Sequence, residues 1–246
     1  MSSSAFGEEG DRRPRTTSAS PVGRTSSDGP DRGALGSAND SGLSQRALRT
    51  FFGESFEGVQ RFHDLLQDEG ETRGLIGPRE VPRLWTRHLL NSAALAGYLP
   101  EVGSVADVGS GAGLPGVVLA LMRTGLHFHL VEPMQRRIAW LSEVVTELGL
   151  TNVTLHHDRA EALRDHLRVD AVTARAVAPL PKLAAWTLPL VRPGGRLVVL
   201  KGRQAAGEVD AATPLLRRLG VLRVDLHEVD PLGTGEPTVV VELVKR

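Results

Sequence analysis

Apolar side chains recur every three or four positions in the first part of the chain after its polar start. Over residues 44–70 this spacing is that of an amphipathic helix, and a second helix is predicted over about 82–99. Polar residues fall on the opposite faces of both segments. The pattern therefore predicts a small N-terminal helical region, which we place at residues 43–100.

After residue 100 the rhythm changes to short apolar runs that alternate with helix-like stretches. Strands are predicted at 104–108, 127–132, 153–156, 169–174 and 195–201. Alternation of this kind is typical of an α/β fold with a parallel, doubly wound sheet. Two further runs, 221–229 and 238–245, follow with no long helix between them and predict a terminal antiparallel hairpin. Residues 101–246 are therefore predicted to form a Rossmann-like domain. Its reversed terminal hairpin is typical of methyltransferase sheets.

A glycine-rich turn follows the first predicted strand, in the segment 107–116 (DVGSGAGLPG). Part of it fits the G-x-G-x-x-G pattern of dinucleotide sites, and Glu132 follows at about the expected distance of ~20 residues. The pattern D-x-G-x-G-x-G of S-adenosylmethionine (SAM) sites uses more of the turn and includes Asp107. A carboxylate suits the cationic sulfonium and ammonium of SAM and would repel a pyrophosphate. This favours SAM over NAD.

Other polar residues lie at the predicted carboxyl ends of the strands, where such sheets bind ligands. Glu132 is placed to accept hydrogen bonds from ribose hydroxyls. The segment 157–161 (HDRAE) either lies at the adenine or forms a helix cap, with Asp158 and Glu161 in a capping box. Arg175 ends the fourth strand, where amino-group methyltransferases usually carry an Asn/Asp-Pro-Pro-aromatic motif that this chain lacks. Lys201 and Arg203 surround a glycine after the fifth strand and suit phosphate contact.

Composition narrows the chemistry further. The 246-residue chain has no cysteine, which excludes disulfides, Cys-ligated metal sites and Cys-dependent pyrimidine C5 methylation. Its net charge is zero, so nucleic-acid contact requires a local cationic patch. Residues 1–42 are rich in Ser, Gly, Asp, Arg and Pro and predict a disordered tail. With no signal pattern and no membrane-spanning apolar run, we expect a cytoplasmic protein.

Four segments together resemble one family: 87–92 (RHLLNS), 107–116, 173–176 (TARA) and 201–202 (KG). Over about residues 44–246 the chain is similar to the bacterial small-subunit rRNA guanine-N7 methyltransferase G family, once called glucose-inhibited division protein B. The Leu-Pro-Gly extension of the glycine turn is specific to that family. The long N-terminal segment is not part of the family pattern.

The resemblance implies SAM-dependent methylation of N7 of one guanine, guanine 527 in standard rRNA numbering, in the decoding-region loop of 16S rRNA. The expected partner is 16S rRNA or the small ribosomal subunit, and we expect a monomer that binds no metal. Turn, strand ends and motif match together predict these cofactor-binding residues: Asp107, Gly109, Ser110, Gly111, Leu114, Glu132, Ala160, Glu161 and Arg175. The residues predicted to face RNA are Arg83, Arg87, His88, Asn91, Lys201 and Arg203.

No general base is expected, because guanine N7 has an in-plane lone pair and no proton to lose. Arg175 and Lys201 are candidates for positioning, and His88 is either an RNA contact or a core histidine. Three alternatives stay open at this point: a small-molecule SAM methyltransferase, an NAD-binding oxidoreductase, and a non-catalytic RNA-binding module.

Overall fold

The computed structural model describes residues 40–246, apart from the side chain of Ser41. Residues 1–39 of the predicted disordered tail lie outside the described residues. The last three residues of that prediction, Asp40–Gly42, form a 3-10 turn. These three residues therefore have regular structure within the segment for which the composition predicts disorder.

The first predicted helix is two helices in the structure, α1 (Gln45–Phe52) and α2 (Phe56–Glu69). Ser44 caps α1, because its hydroxyl accepts a hydrogen bond from the Ala47 amide at 3.1 Å. The break follows from Gly53, whose φ of +54° ends α1 and redirects the chain. The apolar stripe continues across the break, which is why periodicity alone did not reveal it.

The second predicted helix is also interrupted. A 3-10 turn at Val81–Arg83 leads into a π-helical turn at Leu84–Leu89, and regular helix is limited to α3 (Leu90–Ala93). The carboxylate of Asp40 accepts hydrogen bonds from the amides of Trp85 and Thr86 at 2.8 and 2.9 Å, which caps the start of the π turn. This turn carries Arg87 and His88.

Seven strands form one sheet in the order β3-β2-β1-β4-β5-β7-β6. The strands are β1 (Gly103–Val108), β2 (Leu126–Val131), β3 (Val153–His156), β4 (Val169–Arg175), β5 (Val191–Lys201), β6 (Val221–Val229) and β7 (Thr238–Lys245). The first five strands are parallel, and β7 runs antiparallel to both β5 and β6. This confirms the predicted parallel sheet with a reversed terminal hairpin.

Most crossovers between parallel strands contain a helix. These helices are α4 (Gly116–Met122), α5 (Gln135–Glu147) and α6 (Leu180–Thr187), and α7 (Ala205–Arg218) precedes the hairpin. Between β3 and β4 the structure has only the 3-10 turn Ala160–Leu163, so the prediction of a helix at every crossover is wrong there. This connection buries only two large apolar side chains, Leu163 and Leu167, which is too little for a longer amphipathic helix.

The sheet separates two apolar cores. Val105 packs into the core beneath the N-terminal helices and α5, whereas Ala106 and Val108 pack into the core that contains residues of α6 and α7. The carboxyl ends of β1, β2 and β4 share one edge of the sheet, because these strands are parallel neighbours. No helix among residues 40–246 is long and apolar enough to cross a membrane.

Candidate active site

A cavity of about 510 Å³ opens at the carboxyl ends of the parallel strands. Eight of the nine residues predicted to bind the cofactor line it: Gly109, Ser110, Gly111, Leu114, Glu132, Ala160, Glu161 and Arg175. The ninth, Asp107, does not. The fold therefore brings together, at the ends of the strands, residues that lie up to 66 positions apart in the sequence.

The glycine turn between β1 and α4 forms one wall of this cavity. The amides of Gly109 and Ser110 both donate to the Val131 carbonyl, at 2.8 and 3.2 Å, which ties the turn to the neighbouring strand. Gly109 has a φ of +73°, and a Cβ there would lie 2.8 Å from Val177 Cγ2. Only glycine fits this position, because a side chain would meet both strain and a clash.

Asp107 lies beneath the turn and is fully buried. Its carboxylate accepts hydrogen bonds from the Gly116 amide at 3.0 Å and from the Thr173 hydroxyl at 3.2 Å. Burial raises the pKa of Asp107 to about 6, against the opposing effect of these hydrogen bonds. The side chain lies under the turn and meets the start of α4 rather than the cavity, so direct contact of Asp107 with a cofactor stays a prediction that the structure does not favour.

Glu132 faces the cavity from the end of β2, although the residue is only 1% exposed. Its Oε2 accepts from the Gly111 amide at 3.0 Å, and its Oε1 accepts from the Met134 amide at 2.9 Å. The Arg137 guanidinium lies 3.5 Å from Oε2. Each carboxylate oxygen has a second lone pair, so Glu132 can still accept hydrogen bonds from a ligand.

At the third strand end, Asp158, Arg159, Ala160 and Glu161 all line the cavity. The 3-10 turn that begins at Ala160 has no side-chain cap, so the capping-box interpretation of this segment is wrong. The alternative interpretation, that the segment lies beside the ligand, agrees with its place in the cavity wall.

Sequence reasoning missed several residues of this cavity: Leu75, Ile76, Gly77, Met134, Arg137, Val177 and Trp186. Arg137 carried a weak signal, because it lies in the first turn of α5, the helix that follows Glu132. Leu75, Ile76 and Gly77 carried none, because they come from the N-terminal region and reach the cavity only through tertiary packing.

Arg175 lines the cavity and takes part in a chain of polar contacts. Its Nη1 lies 2.9 Å from His88 Nδ1, and His88 Nε2 lies 3.0 Å from a Glu80 carboxylate oxygen. Burial, and then the charge of Arg175, lowers the pKa of His88 to about 4, while burial lowers the pKa of Arg175 to about 10. His88 is therefore neutral near pH 7, accepting from Arg175 at Nδ1 and donating from Nε2 to Glu80.

A second cavity of about 880 Å³ adjoins the first. The two share four residues in their walls: His88, Arg175, Ala176 and Val177. Of the residues predicted to face RNA, five line the second cavity: Arg87, His88, Asn91, Lys201 and Arg203. His88 is thus largely buried, as a core histidine would be, and it also lines both cavities, so its contact with RNA stays a prediction.

Several of the predicted RNA residues are engaged within the protein, including Asn91, whose amide donates to the Arg87 carbonyl at 3.1 Å. The Lys201 ammonium donates to the Ala178 carbonyl and to the Glu208 carboxylate, both at 2.7 Å, which ties β5 to α7. Arg83 forms an ion pair with Glu236 and does not line the second cavity. Contact between Lys201 and an RNA phosphate stays a prediction. The two hydrogen bonds of its ammonium also give Lys201 a structural role.

Similarity to known proteins identifies the family of this chain. A family model described as rRNA small subunit methyltransferase G matches residues 55–230, which is more than half of the chain. The chain belongs to this family. The rRNA small subunit methyltransferase G of Beutenbergia cavernae is 60% identical over 197 residues, covering 80% of this chain and 93% of the relative. That of Thermobifida fusca is 51% identical over 193 residues, covering 76% of this chain and 81% of the relative.

The chain also shares its fold with solved structures of low sequence identity. M. jannaschii TYW2 in complex with AdoMet (SAM) matches with a TM-score of 0.51 at 16% identity, covering 65% of this chain and 76% of that chain. The match identifies the Rossmann-like methyltransferase fold. Among residues 40–246, no group of three or more His, Asp or Glu side chains is arranged to hold a metal ion.

Proposed function

We propose that the protein transfers the methyl group of SAM to N7 of one guanine, guanine 527, in the decoding-region loop of 16S rRNA. One observation carries the proposal: two cavities share a wall at His88, Arg175, Ala176 and Val177. One cavity can hold the cofactor and the other the target base, so that methyl and nucleophile meet at the shared wall. The family name and the arginines of the second cavity favour RNA as the substrate.

The residues of the first cavity fit SAM. A volume of about 510 Å³ lies within the usual range for small-molecule sites, roughly 300–1,000 Å³. The carboxylate of Glu132 suits ribose hydroxyls. When bound, SAM supplies an activated methyl group on a positively charged sulfur.

The same contacts argue against NAD. A dinucleotide site offers the amides of its glycine turn to a pyrophosphate. Here the amides of Gly109 and Ser110 donate to Val131, and that of Gly111 donates to Glu132. A pyrophosphate would find these donors occupied and a carboxylate beside it. An oxidoreductase function is therefore not supported.

The chain's own residues would act by binding and orientation. Guanine N7 needs no general base, so alignment of nucleophile and methyl group supplies most of the catalysis. His88 and Glu80 hold the guanidinium of Arg175 at the shared wall. The base must be unpaired or flipped out to enter the second cavity.

The test is tritiated methyl transfer from SAM to 16S rRNA and to small subunits that lack the modification, with borohydride–aniline cleavage to map 7-methylguanine. A single new cleavage at guanine 527 is expected, and comparing the two substrates shows which is used. A Gly109→Ala variant serves as the cofactor-site negative control. SAM binding without transfer to either RNA would overturn the proposal and favour a small-molecule methyltransferase. Transfer would exclude a non-catalytic RNA-binding module.

A further inference from the structure

Arg83 and Arg87 meet the Glu236 carboxylate beside the second cavity, and the Glu80 carboxylate lies near Arg87 as well. Arg83 forms an ion pair with Glu236, and Arg87 Nε lies 4.0 Å from the other Glu236 oxygen. Arg87 Nε also lies 3.9 Å from a carboxylate oxygen of Glu80. The two arginines belong to the N-terminal region, whereas Glu236 belongs to the connection between β6 and β7. The cluster therefore joins two parts of the chain that are distant in sequence.

A hydrogen-bonded turn places Glu236 beside the two arginines. The Asp230 carboxylate accepts hydrogen bonds from the amides of Thr234 and Gly235, each at 2.8 Å, which fixes the connection just before Glu236. Gly235, Glu236 and Pro237 then line the second cavity. The acid thus occupies a defined position at the mouth of the cavity that we assign to RNA.

The carboxylate does not satisfy the arginines fully. Arg83 Nε is buried and has no hydrogen-bond partner. The arrangement of two guanidinium groups around one anionic group is that of a phosphate site, where forked donors pair with several oxygens. Because the whole chain has zero net charge, RNA affinity depends on local cations, and Glu236 neutralises part of this local charge.

We propose that Arg83 and Arg87 bind a backbone phosphate of the RNA, and that Glu236 occupies this phosphate site until RNA displaces it. Glu236 is then a specificity-determining residue, because only RNA that also fills the cavity recovers the free energy of breaking the ion pair. Non-target RNA, which contacts the rim alone, is held more weakly. The inference rests on the proposed function only in taking RNA as the ligand.

The test compares the wild type with Glu236→Gln and with a matched control, Glu228→Gln. Glu228 is an exposed acid on β6 of the same hairpin, so the control removes the same charge away from the arginines. Binding is measured for a 16S rRNA fragment containing the decoding-region loop and for an unrelated RNA of equal length, over a series of salt concentrations.

Glu236→Gln is expected to tighten the binding of both RNAs by about two- to fivefold, with the larger gain for the unrelated RNA. Its salt dependence should steepen by about one unit of slope. Glu228→Gln should change neither.

Two further variants show whether Glu236 competes with RNA for the arginines or only links two parts of the protein. Adding Arg83→Ala to Glu236→Gln should remove the gain in affinity, and Glu236→Asp, which keeps the charge on a shorter side chain, should give an intermediate affinity. Weaker or unchanged RNA binding by Glu236→Gln, with an unaltered melting temperature, would overturn the inference. An equal gain in Glu228→Gln would also overturn it, because general charge would then explain the effect.

Parallel methyl-transfer assays on the wild type distinguish the two proposals. If the wild type methylates guanine 527 normally and Glu236→Gln does not change RNA binding, only the proposed phosphate site is contradicted. Tighter RNA binding by Glu236→Gln without any methyl transfer contradicts the proposed function alone.

Discussion

At the scale of single residues, buried ionisable groups organise the two cavities. Asp107 and His88 both lie out of water, and burial shifts their pKa values in opposite directions, to about 6 and about 4. Asp107 is thereby harder to ionise and His88 is harder to protonate. Specific hydrogen-bond partners, rather than solvent, stabilise each side chain. The role of each can therefore be tested by changing its ability to bond to those partners.

His88 should act by positioning Arg175 rather than as a base. His88→Asn can keep an acceptor near the Nδ1 position, whereas His88→Gln can keep a group near Nε2 for Glu80 but leaves Arg175 without its acceptor. A hydrogen bond to a charged group contributes about 1.5–3 kcal/mol, so His88→Gln should lower kcat/KM for methyl transfer by about tenfold or more and His88→Asn by less. The wild-type rate should show no inflection near the usual histidine pKa of about 6.5 that disappears when His88 is replaced. Equal loss in both variants, with such an inflection, would instead identify a general base.

Asp107 should make unfolding pH-dependent in an identifiable direction. Its pKa is about 6 in the folded protein and about 3.9 unfolded, so its ionised form is the disfavoured one. The resulting cost is absent below about pH 4, grows as pH rises, and is complete above about pH 6. The free energy of unfolding of the wild type, minus that of Asp107→Asn, should fall by on the order of 2 kcal/mol across this window. Urea unfolding of both proteins from pH 4 to pH 7 measures it. A difference that stays constant or rises would contradict the assignment, because His88 is present in both proteins and cancels.

At the scale of elements, the sequence predicts best where one periodicity continues between clear boundaries. The hairpin strands Val221–Val229 and Thr238–Lys245 begin and end as predicted, because alternation is a local property. The second predicted helix, over 82–99, failed because its backbone geometry depends on Asp40, which is more than forty residues away. The position of Glu132 at a strand end was predictable, but the bend of Asp107 beneath the turn depends on Gly116 and Thr173 and was not.

Alanine substitution should have different effects at two glycines in different elements, on SAM binding at one and on stability at the other. Gly109→Ala places a Cβ 2.8 Å from Val177 at a φ of +73° and should abolish measurable SAM binding. Gly207 lies inside α7, and a Cβ there meets nothing within 4 Å. Gly207→Ala should therefore raise the free energy of unfolding by about 0.5–1 kcal/mol and leave SAM affinity unchanged. Calorimetric titration and urea unfolding check the pair. Unchanged SAM affinity in Gly109→Ala would mean that the glycine turn is not part of the cofactor site.

At the scale of the whole molecule, the N-terminal region and the sheet complete one site. Residues Leu75, Ile76 and Gly77 line the first cavity together with the strand ends. Ion pairs reinforce the contact: Arg61 lies 2.8 Å from Glu147, and Arg73 lies 2.7 Å from Glu143. The region predicted at 43–100 therefore contributes to the wall of the first cavity, which we propose to be the cofactor site, and its amphipathic pattern could not reveal this.

SAM should consequently stabilise the N-terminal helices and the sheet as one unit. At a concentration one hundred times its Kd, a ligand that binds only the folded state adds about 2.7 kcal/mol, which should raise the Tm by about 5–10 °C. Hydrogen exchange on peptides from α2 and from β4, followed through the thermal transition, should show both moving together. NAD at the same concentration should move neither, since the amides of the glycine turn are occupied. If β4 were stabilised while α2 exchanged at its original temperature, the N-terminal region would not be a wall of the cofactor site, and the cavity would have to be closed by other residues.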